Sequence, residues 1–146
     1  MEFLTDSAER IGEEPFVPSL LSLDLQCLTI LRHSLLAVEP EEGCGLLLGT
    51  GLGTSLLMLA TLWPSCNAWG KTDCEMDGAG DRDSRFALDP REQIAAQRWA
   101  RLRGLEVLGV CHSHPNTSPE PSIWDCDWAE PVSYTHLRAH ETHEHR

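Results

Sequence analysis

The 146-residue chain lacks several features that would assign it to a class at once. None of its six cysteines forms a C-x-x-C pair, which argues against the zinc-ribbon and thioredoxin patterns. Basic residues are scarce, since 11 lysines and arginines against 23 acidic residues give a formal net charge of −12. Nucleic-acid binding requires basic patches that replace phosphate counterions, so this charge argues against a nucleic-acid partner.

Long apolar runs are also missing. Residues 1–18 are acidic and contain no apolar core of the kind that a secretory signal needs. The leucine-rich residues 20–38 are interrupted by Asp24, Arg32 and His33, so they are not expected to span a bilayer. Dispersed cysteines in apolar surroundings behave as small core residues when reduced. Together these absences predict a cytoplasmic domain with no membrane partner.

The first half of the chain contains one predicted helix and two predicted strands. Residues 1–18 mix charges with prolines and are interpreted as a loose lead-in. Asp24 is a suitable N-cap for a helix of regularly spaced leucines that closes at Pro40. Residues 44–49 and 56–63 are apolar and are joined by a glycine-rich turn, which predicts an antiparallel pair of strands.

The second half begins with a polar segment, residues 64–84, which predicts a long exposed loop whose acidic side chains are solvated. Residues 85–88 are predicted to form a brief strand. Asp89 and Pro90 then predict a helix start, and Gly104 its end.

Residues 105–111 form the last predicted strand, which leads directly into His112, and a short helix is predicted to open at Ser122. Helices and strands in this order predict an α/β (α+β) fold with one curved sheet flanked by helices.

Three residues near this last strand have the identities of metal ligands. His112 and His114 alternate, so an extended backbone points both imidazoles to the same side. Asp125 lies on the first turn of the predicted helix that follows. Two nitrogens and one carboxylate leave a position open for water, as in a catalytic zinc site, although the same set also suits a non-haem iron site. Taken alone, however, an H-x-H pair and an S-x-x-D helix start are ordinary structural features.

The spacing of these residues extends the pattern. From His112 to Asp125 the chain follows H-x-H-x(7)-S-x-x-D without a gap, and in this it resembles the JAMM (MPN+) metalloproteases. Upstream, residues 40–49 (PEEGCGLLLG) resemble the small stand-alone bacterial members, as do residues 85–90 and 104–110. The resemblance implies that residues 19–131 form a domain with the MPN/JAMM, cytidine-deaminase-like fold.

The resemblance also implies roles for individual residues. His112, His114 and Asp125 would hold one Zn²⁺ per chain. Glu42 would act as the general base, as its distance from Pro40 along the chain indicates, and Ser122 would hydrogen-bond the oxyanion of the tetrahedral intermediate.

Residues that lie next to these in the sequence and have similar side chains are assigned no role in the reaction. Glu41 is interpreted as a surface charge, and Ser113 only as a residue that shapes the loop. Cys111, Cys126 and Asp127 are alternative ligands that a complete zinc set does not require.

The activity that the resemblance implies is zinc-dependent hydrolysis of a peptide or isopeptide bond. Relatives act on ubiquitin-like modifiers or on sulfur-carrier proteins that end in Gly-Gly, so the expected substrate is the C-terminus of such a protein. Glycine suits a narrow groove because it permits close backbone approach. Family members without the ligands serve as non-catalytic binding scaffolds, and this is the alternative function.

The end of the chain forms a separate segment. Residues 132–142 resemble one reading frame of a transposase adapter used in preparing DNA sequencing libraries, so residues 132–146 are interpreted as a non-native tail. Family members continue with further strands after the Asp-bearing helix. We therefore expect a C-terminally incomplete domain of low stability, whose activity could be lost. The tail contains four histidines that are excluded from the site: His136, His140, His143 and His145.

Overall fold

The computed structural model describes residues 20–70 and 80–129. The expected lead-in, the boundary at residue 131 and the tail lie outside these residues. The elements follow the order β1 (Leu20–Ser22), α1 (Leu25–Leu36), β2 (Cys44–Thr50), β3 (Leu56–Ser65), α2 (Pro90–Arg101), β4 (Glu106–His112) and α3 (Ile123–Ala129).

The four strands form one mixed sheet in the order β1-β3-β2-β4. β2 lies in the interior of the sheet and pairs antiparallel with both β3 and β4, whereas β1 pairs parallel with β3. α1 packs on β3, and α2 packs on β4 and β2. This arrangement confirms the expected α/β class, with one sheet flanked by helices. Within the described ranges, no helix has the length and apolarity needed to cross a membrane.

Side-chain caps confirm the predicted starts of α1 and α2. The Asp24 carboxylate accepts a backbone N–H from the first turn of α1 at 2.6 Å, and the Asp89 carboxylate does the same for α2 at 2.8 Å. Such caps satisfy backbone donors that the helix itself leaves unpaired. α1 ends at Leu36, before Pro40 rather than at it. Gly104 follows α2 in the left-handed conformation, with a φ of 67°.

Residues 85–88 do not form the predicted strand. Their backbone bonds to a preceding loop instead: the Ala87 N–H donates to Asn67 Oδ1 at 3.2 Å, and the Ala87 carbonyl accepts the Ala68 N–H at 2.9 Å. A buried amide side chain therefore takes the place of a neighbouring strand. β3 also runs to Ser65, past the predicted end of that strand, and β1 was not predicted.

The core is formed where β2 meets α2. Leu48 is fully buried, and the small side chains of Ala96 and Ala100 let the helix approach it closely. Phe86 and Trp99 pack at the margin of this cluster. β2 is therefore part of the core, and the residues just before β2, which include Glu42, are attached to that core at their C-terminal end.

We expect Leu48→Ala to lower the free energy of unfolding by about 2–5 kcal/mol, because it removes buried methyl groups and leaves a cavity. Urea unfolding followed by circular dichroism measures the change. Leu52→Ala is the matched control, since Leu52 lies in the β2–β3 turn and is 47% exposed. Equal destabilisation by the two substitutions would contradict this assignment of the core.

Candidate metal centre

The pairing of β2 with β4 brings two distant parts of the chain together. His112 is the last residue of β4 and pairs with the first residue of β2. The pairing continues beyond the strands, because the Ser113 N–H donates to the Gly43 carbonyl at 2.9 Å. The same antiparallel order places Glu42, one residue before Gly43, at the level of His114.

The two histidines turn their rings toward each other, as their alternation predicts. Their ring centroids are 4.8 Å apart, and their Nε2 atoms are separated by 2.8 Å. Phe86 stacks on the His112 ring with a centroid distance of 4.3 Å. This stacking restricts the orientation of the His112 imidazole and holds its Nε2 toward the same point as that of His114.

Asp125, in the first turn of α3, completes the group. Its Oδ1 lies 3.2 Å from His112 Nε2, and its Oδ2 lies 3.4 Å from His114 Nε2. Ligands in a tetrahedron around zinc, with bonds of ~2.0–2.2 Å, lie about 3.3–3.6 Å from one another. The two distances to Asp125 are close to this spacing, whereas the 2.8 Å between the two Nε2 atoms is shorter. Among the described residues, this is the one group of three or more histidine, cysteine or carboxylate side chains that could hold a metal ion.

A hydrogen bond fixes which nitrogen of His114 can bind a metal. His114 Nδ1 lies 2.8 Å from the Ser118 carbonyl oxygen. Since a carbonyl only accepts, Nδ1 must carry the hydrogen, which leaves a lone pair on Nε2 of the neutral ring. Metal-binding histidines commonly make this second contact, which orients the ring. The donor set therefore fits a zinc ion.

Ser122 and Asp125 are linked by two reciprocal hydrogen bonds. The Ser122 N–H donates to Asp125 Oδ2 at 2.6 Å, and the Asp125 N–H donates to Ser122 Oγ at 3.2 Å. Burial alone would raise the pKa of Asp125. The bonds from Ser122, together with the charges of His112 and His114, outweigh it and hold this pKa below its usual range. Asp125 is thus an anion at neutral pH, as a ligand must be.

Glu42 is buried, with only 6% of its surface exposed. Its N–H donates to the Arg82 carbonyl at 2.7 Å, and its carbonyl accepts from Asn67 Nδ2 at 3.1 Å. Burial raises the pKa of Glu42, while the charges of His114 and Asp125 act on it in opposite directions. A buried carboxyl beside the metal group, with its pKa shifted toward neutrality, suits proton transfer.

The alternative candidates lie in other surroundings. Glu41 pairs with Arg82 at 3.6 Å, and its side chain is 43% exposed. The Cys111 thiol contacts the Gly45 carbonyl, and burial raises the pKa of Cys111 to about 12, which keeps it protonated. Cys126 is exposed. The remaining alternative ligand, Asp127, lies outside the side chains that the structure describes.

Three features of the site were not expected from the sequence. Asn67 bonds the backbone carbonyls of Glu42 and Arg85, Phe86 stacks on His112, and the Ser113 hydroxyl bonds the residue after Glu42. An asparagine two residues after an apolar strand is the signal that the sequence offers for the first. The other two depend on contacts between distant segments.

Comparisons with known proteins agree with this geometry. The family model for prokaryotic homologs of the JAB domain matches residues 25–145. Deubiquitinase MYSM1 of Mus musculus and that of Homo sapiens are each 29% identical over 116 residues, which cover 79% of this chain. The chain spans only 12% of the length of each of these relatives.

A solved structure supports the fold. The solution structure of protein DSY2949 from Desulfitobacterium hafniense has a TM-score of 0.59 and 28% sequence identity. The match covers 75% of this chain and 66% of that one. The expected JAMM/MPN-like fold is therefore confirmed.

Proposed function

We propose that this chain, which belongs to the family of prokaryotic homologs of the JAB domain, is a zinc-dependent metallopeptidase that hydrolyses a peptide or isopeptide bond. One observation carries the proposal: His112, His114 and Asp125 bring one ligand atom each to within 4.8 Å of one another. The buried Glu42 is near enough for the charges of His114 and Asp125 to act on its pKa. A scaffold domain needs neither the ligands nor a buried carboxyl beside them.

Three residues would hold the metal. His112 and His114 would each provide Nε2, and Asp125 a carboxylate oxygen. Bound zinc would supply a Lewis acid that lowers the pKa of a water molecule and polarises a carbonyl oxygen. A proton acceptor and a hydroxyl donor accompany the ligands, which favours hydrolysis over the oxygen chemistry of a non-haem iron site.

Glu42 would move the proton. As the carboxylate, it takes a proton from the attacking water, and as the acid it delivers that proton to the leaving amine. Both roles require a carboxyl whose two protonation states lie close in free energy. Burial raises the pKa of Glu42 and so brings these two states closer together near neutral pH.

Ser122 would stabilise the oxyanion. Its Oγ accepts the Asp125 N–H, so the hydroxyl hydrogen can be donated to the oxygen that gains charge in the transition state. This bond also holds Ser122 beside a metal ligand.

The relatives and the surface beside the site support one substrate class. The similarity to deubiquitinases favours a ubiquitin-like protein, cut at its C-terminus, and a sulfur-carrier protein is the substrate that the family resemblance adds. Ile123 and Trp124 are exposed directly before Asp125, and the Arg85 guanidinium lies 4.8 Å from the Trp124 ring. Ile123 and Trp124 offer an apolar surface to an extended tail. We place the activity in the cytoplasm, consistent with the free cysteines of the described residues.

The test is cleavage of a ubiquitin-like protein with a fluorogenic amide at its C-terminus. We expect hydrolysis by the zinc-loaded chain, loss of hydrolysis after treatment with a chelator, and recovery when zinc is returned. An isolated fluorogenic dipeptide tests whether the folded part of the substrate is required. Stoichiometric zinc without cleavage of either substrate would contradict the peptidase proposal, and failure to bind zinc would favour a scaffold.

A further inference from the structure

We propose that Ser113 is a positioning residue whose hydroxyl fixes the backbone around Glu42 and so holds the Glu42 carboxylate beside the metal group. The proposal rests on the proposed function for the role of Glu42. Ser113 itself need not touch the metal, the water or the substrate. Its side chain acts through the two residues that it joins.

Ser113 lies between the two histidines but faces away from them, because side chains alternate along an extended backbone. Its hydroxyl oxygen accepts the Gly43 N–H at 2.9 Å, and its hydroxyl hydrogen is donated to the Leu35 carbonyl at 3.4 Å. Its own N–H donates to the Gly43 carbonyl at 2.9 Å. One residue thus joins the end of β4, the segment before β2 and the last turn of α1.

The contact between Gly43 and α1 is very close. A Cβ atom built on Gly43 would lie 2.2 Å from the Leu35 carbonyl oxygen, so only glycine fits there. Gly43 and Leu35 are both buried. The Ser113 hydroxyl therefore bonds a donor and an acceptor of two buried residues through bonds that are partly shielded from water.

The backbone groups of Glu42 itself bond to residues other than Ser113. The Glu42 N–H and carbonyl bond to Arg82 and to Asn67, respectively. Asn67 also bonds the Arg85 carbonyl, so its substitution would disturb the whole 80–87 segment. Ser113 makes the local link, and it belongs to the same short segment as His112 and His114. The position of Glu42 relative to these ligands therefore depends on Ser113.

Substitution of Ser113 separates positioning from metal binding. We expect Ser113→Ala to lower kcat by about 10–100-fold, because displacements near 1 Å at a reacting group have effects of this size. KM and the dissociation constant for zinc should change by less than about threefold, because the ligand atoms remain. Ser113→Thr keeps the hydroxyl and should recover most of kcat.

Hydrogen exchange of the Gly43 amide provides a readout that does not depend on catalysis. In the metal-free chain we expect exchange to be at least about tenfold faster in Ser113→Ala than in wild type, since the amide loses its acceptor. Thr54→Ala is the matched control, because the Thr54 hydroxyl makes similar backbone bonds in the β2–β3 turn. Thr54→Ala should change neither kcat nor Gly43 exchange.

Each outcome decides one of the two proposals. Wild-type kcat in Ser113→Ala, or unchanged Gly43 exchange, would overturn the positioning role. A wild-type chain that binds zinc and cleaves nothing would overturn the peptidase proposal, and Gly43 exchange would still test the link. If Ser113→Ala does not fold, Ser113→Cys replaces it, with reduced kcat and faster exchange expected; wild-type values in that variant would also overturn the role.

Discussion

Glu42→Gln is expected to lower kcat by about 10²–10⁴-fold while stoichiometric zinc remains bound. The amide has nearly the shape of the carboxyl group but cannot take a proton from water. None of the three proposed ligands changes, so metal content should match that of wild type. Turnover of the fluorogenic substrate and zinc content by atomic emission measure the two quantities in the same preparation.

Glu41→Gln is the matched control for this substitution. Glu41 is the adjacent residue, and its carboxylate forms an exposed pair with Arg82. We expect wild-type kcat in this variant. Substantial turnover by Glu42→Gln would refute the assignment of the general base, and equal losses in the two variants would indicate a general effect on the segment.

The pH dependence of stability tests whether the pKa of Glu42 is raised in the folded protein. In the metal-free protein, burial raises the pKa of Glu42 above its ordinary value of 4.5. The folded state therefore prefers the protonated form, and stability is lost as pH rises through the folded-state pKa. Glutamine does not ionise. Glu42→Gln should thus melt at a higher temperature than wild type near neutral pH, and this difference should shrink toward pH 4.

The second large effect is expected at the metal ligands. His114→Ala should weaken zinc binding by more than about 100-fold, beyond the range reached when outer hydrogen-bond partners of ligands are changed. It should also abolish turnover at micromolar zinc. Competition with a chromophoric chelator measures the affinity. Zinc binding by wild type should weaken as pH falls, because protons compete with the metal for the histidine ligands.

His33→Ala is the control for the loss of an imidazole. His33 is exposed in the last turn of α1 and does not belong to the metal group. The zinc affinity of the His33→Ala variant should equal that of wild type. Tight binding retained in His114→Ala would mean that the metal is held elsewhere, and the three-ligand site would then be wrong.

Local sequence signals predicted the parts of this structure that depend on local chemistry. Asp24 and Asp89 cap the helices that their positions indicated. The alternation of His112 and His114 predicted that their rings face the same side. The spacing to Asp125 predicted a third ligand, because one turn of helix and a short loop limit where that carboxylate can lie.

Such local signals do not predict contacts between distant segments of the chain. Residues 85–88 have the composition of a strand, but Asn67 satisfies part of their backbone in another way. The pattern around Ser113 indicates only a residue that shapes the loop, since its partner, Gly43, is 70 positions away in the sequence. β1 is three residues long and pairs with β3, so no periodicity could identify it. Sequence patterns report local preference, whereas these features depend on which segments meet.

With Asp125 as a metal ligand, as proposed, its reciprocal bonds with Ser122 would make metal affinity depend on the formation of a helix. α3 has seven residues, too few for a helix to be stable alone in water. Asp125 is at once a proposed ligand and the acceptor at the first turn of that helix. Binding the ion and ordering α3 are then linked equilibria, and the apparent dissociation constant rises as the ordered fraction falls. A substitution that stabilises α3 would tighten metal binding without altering any ligand.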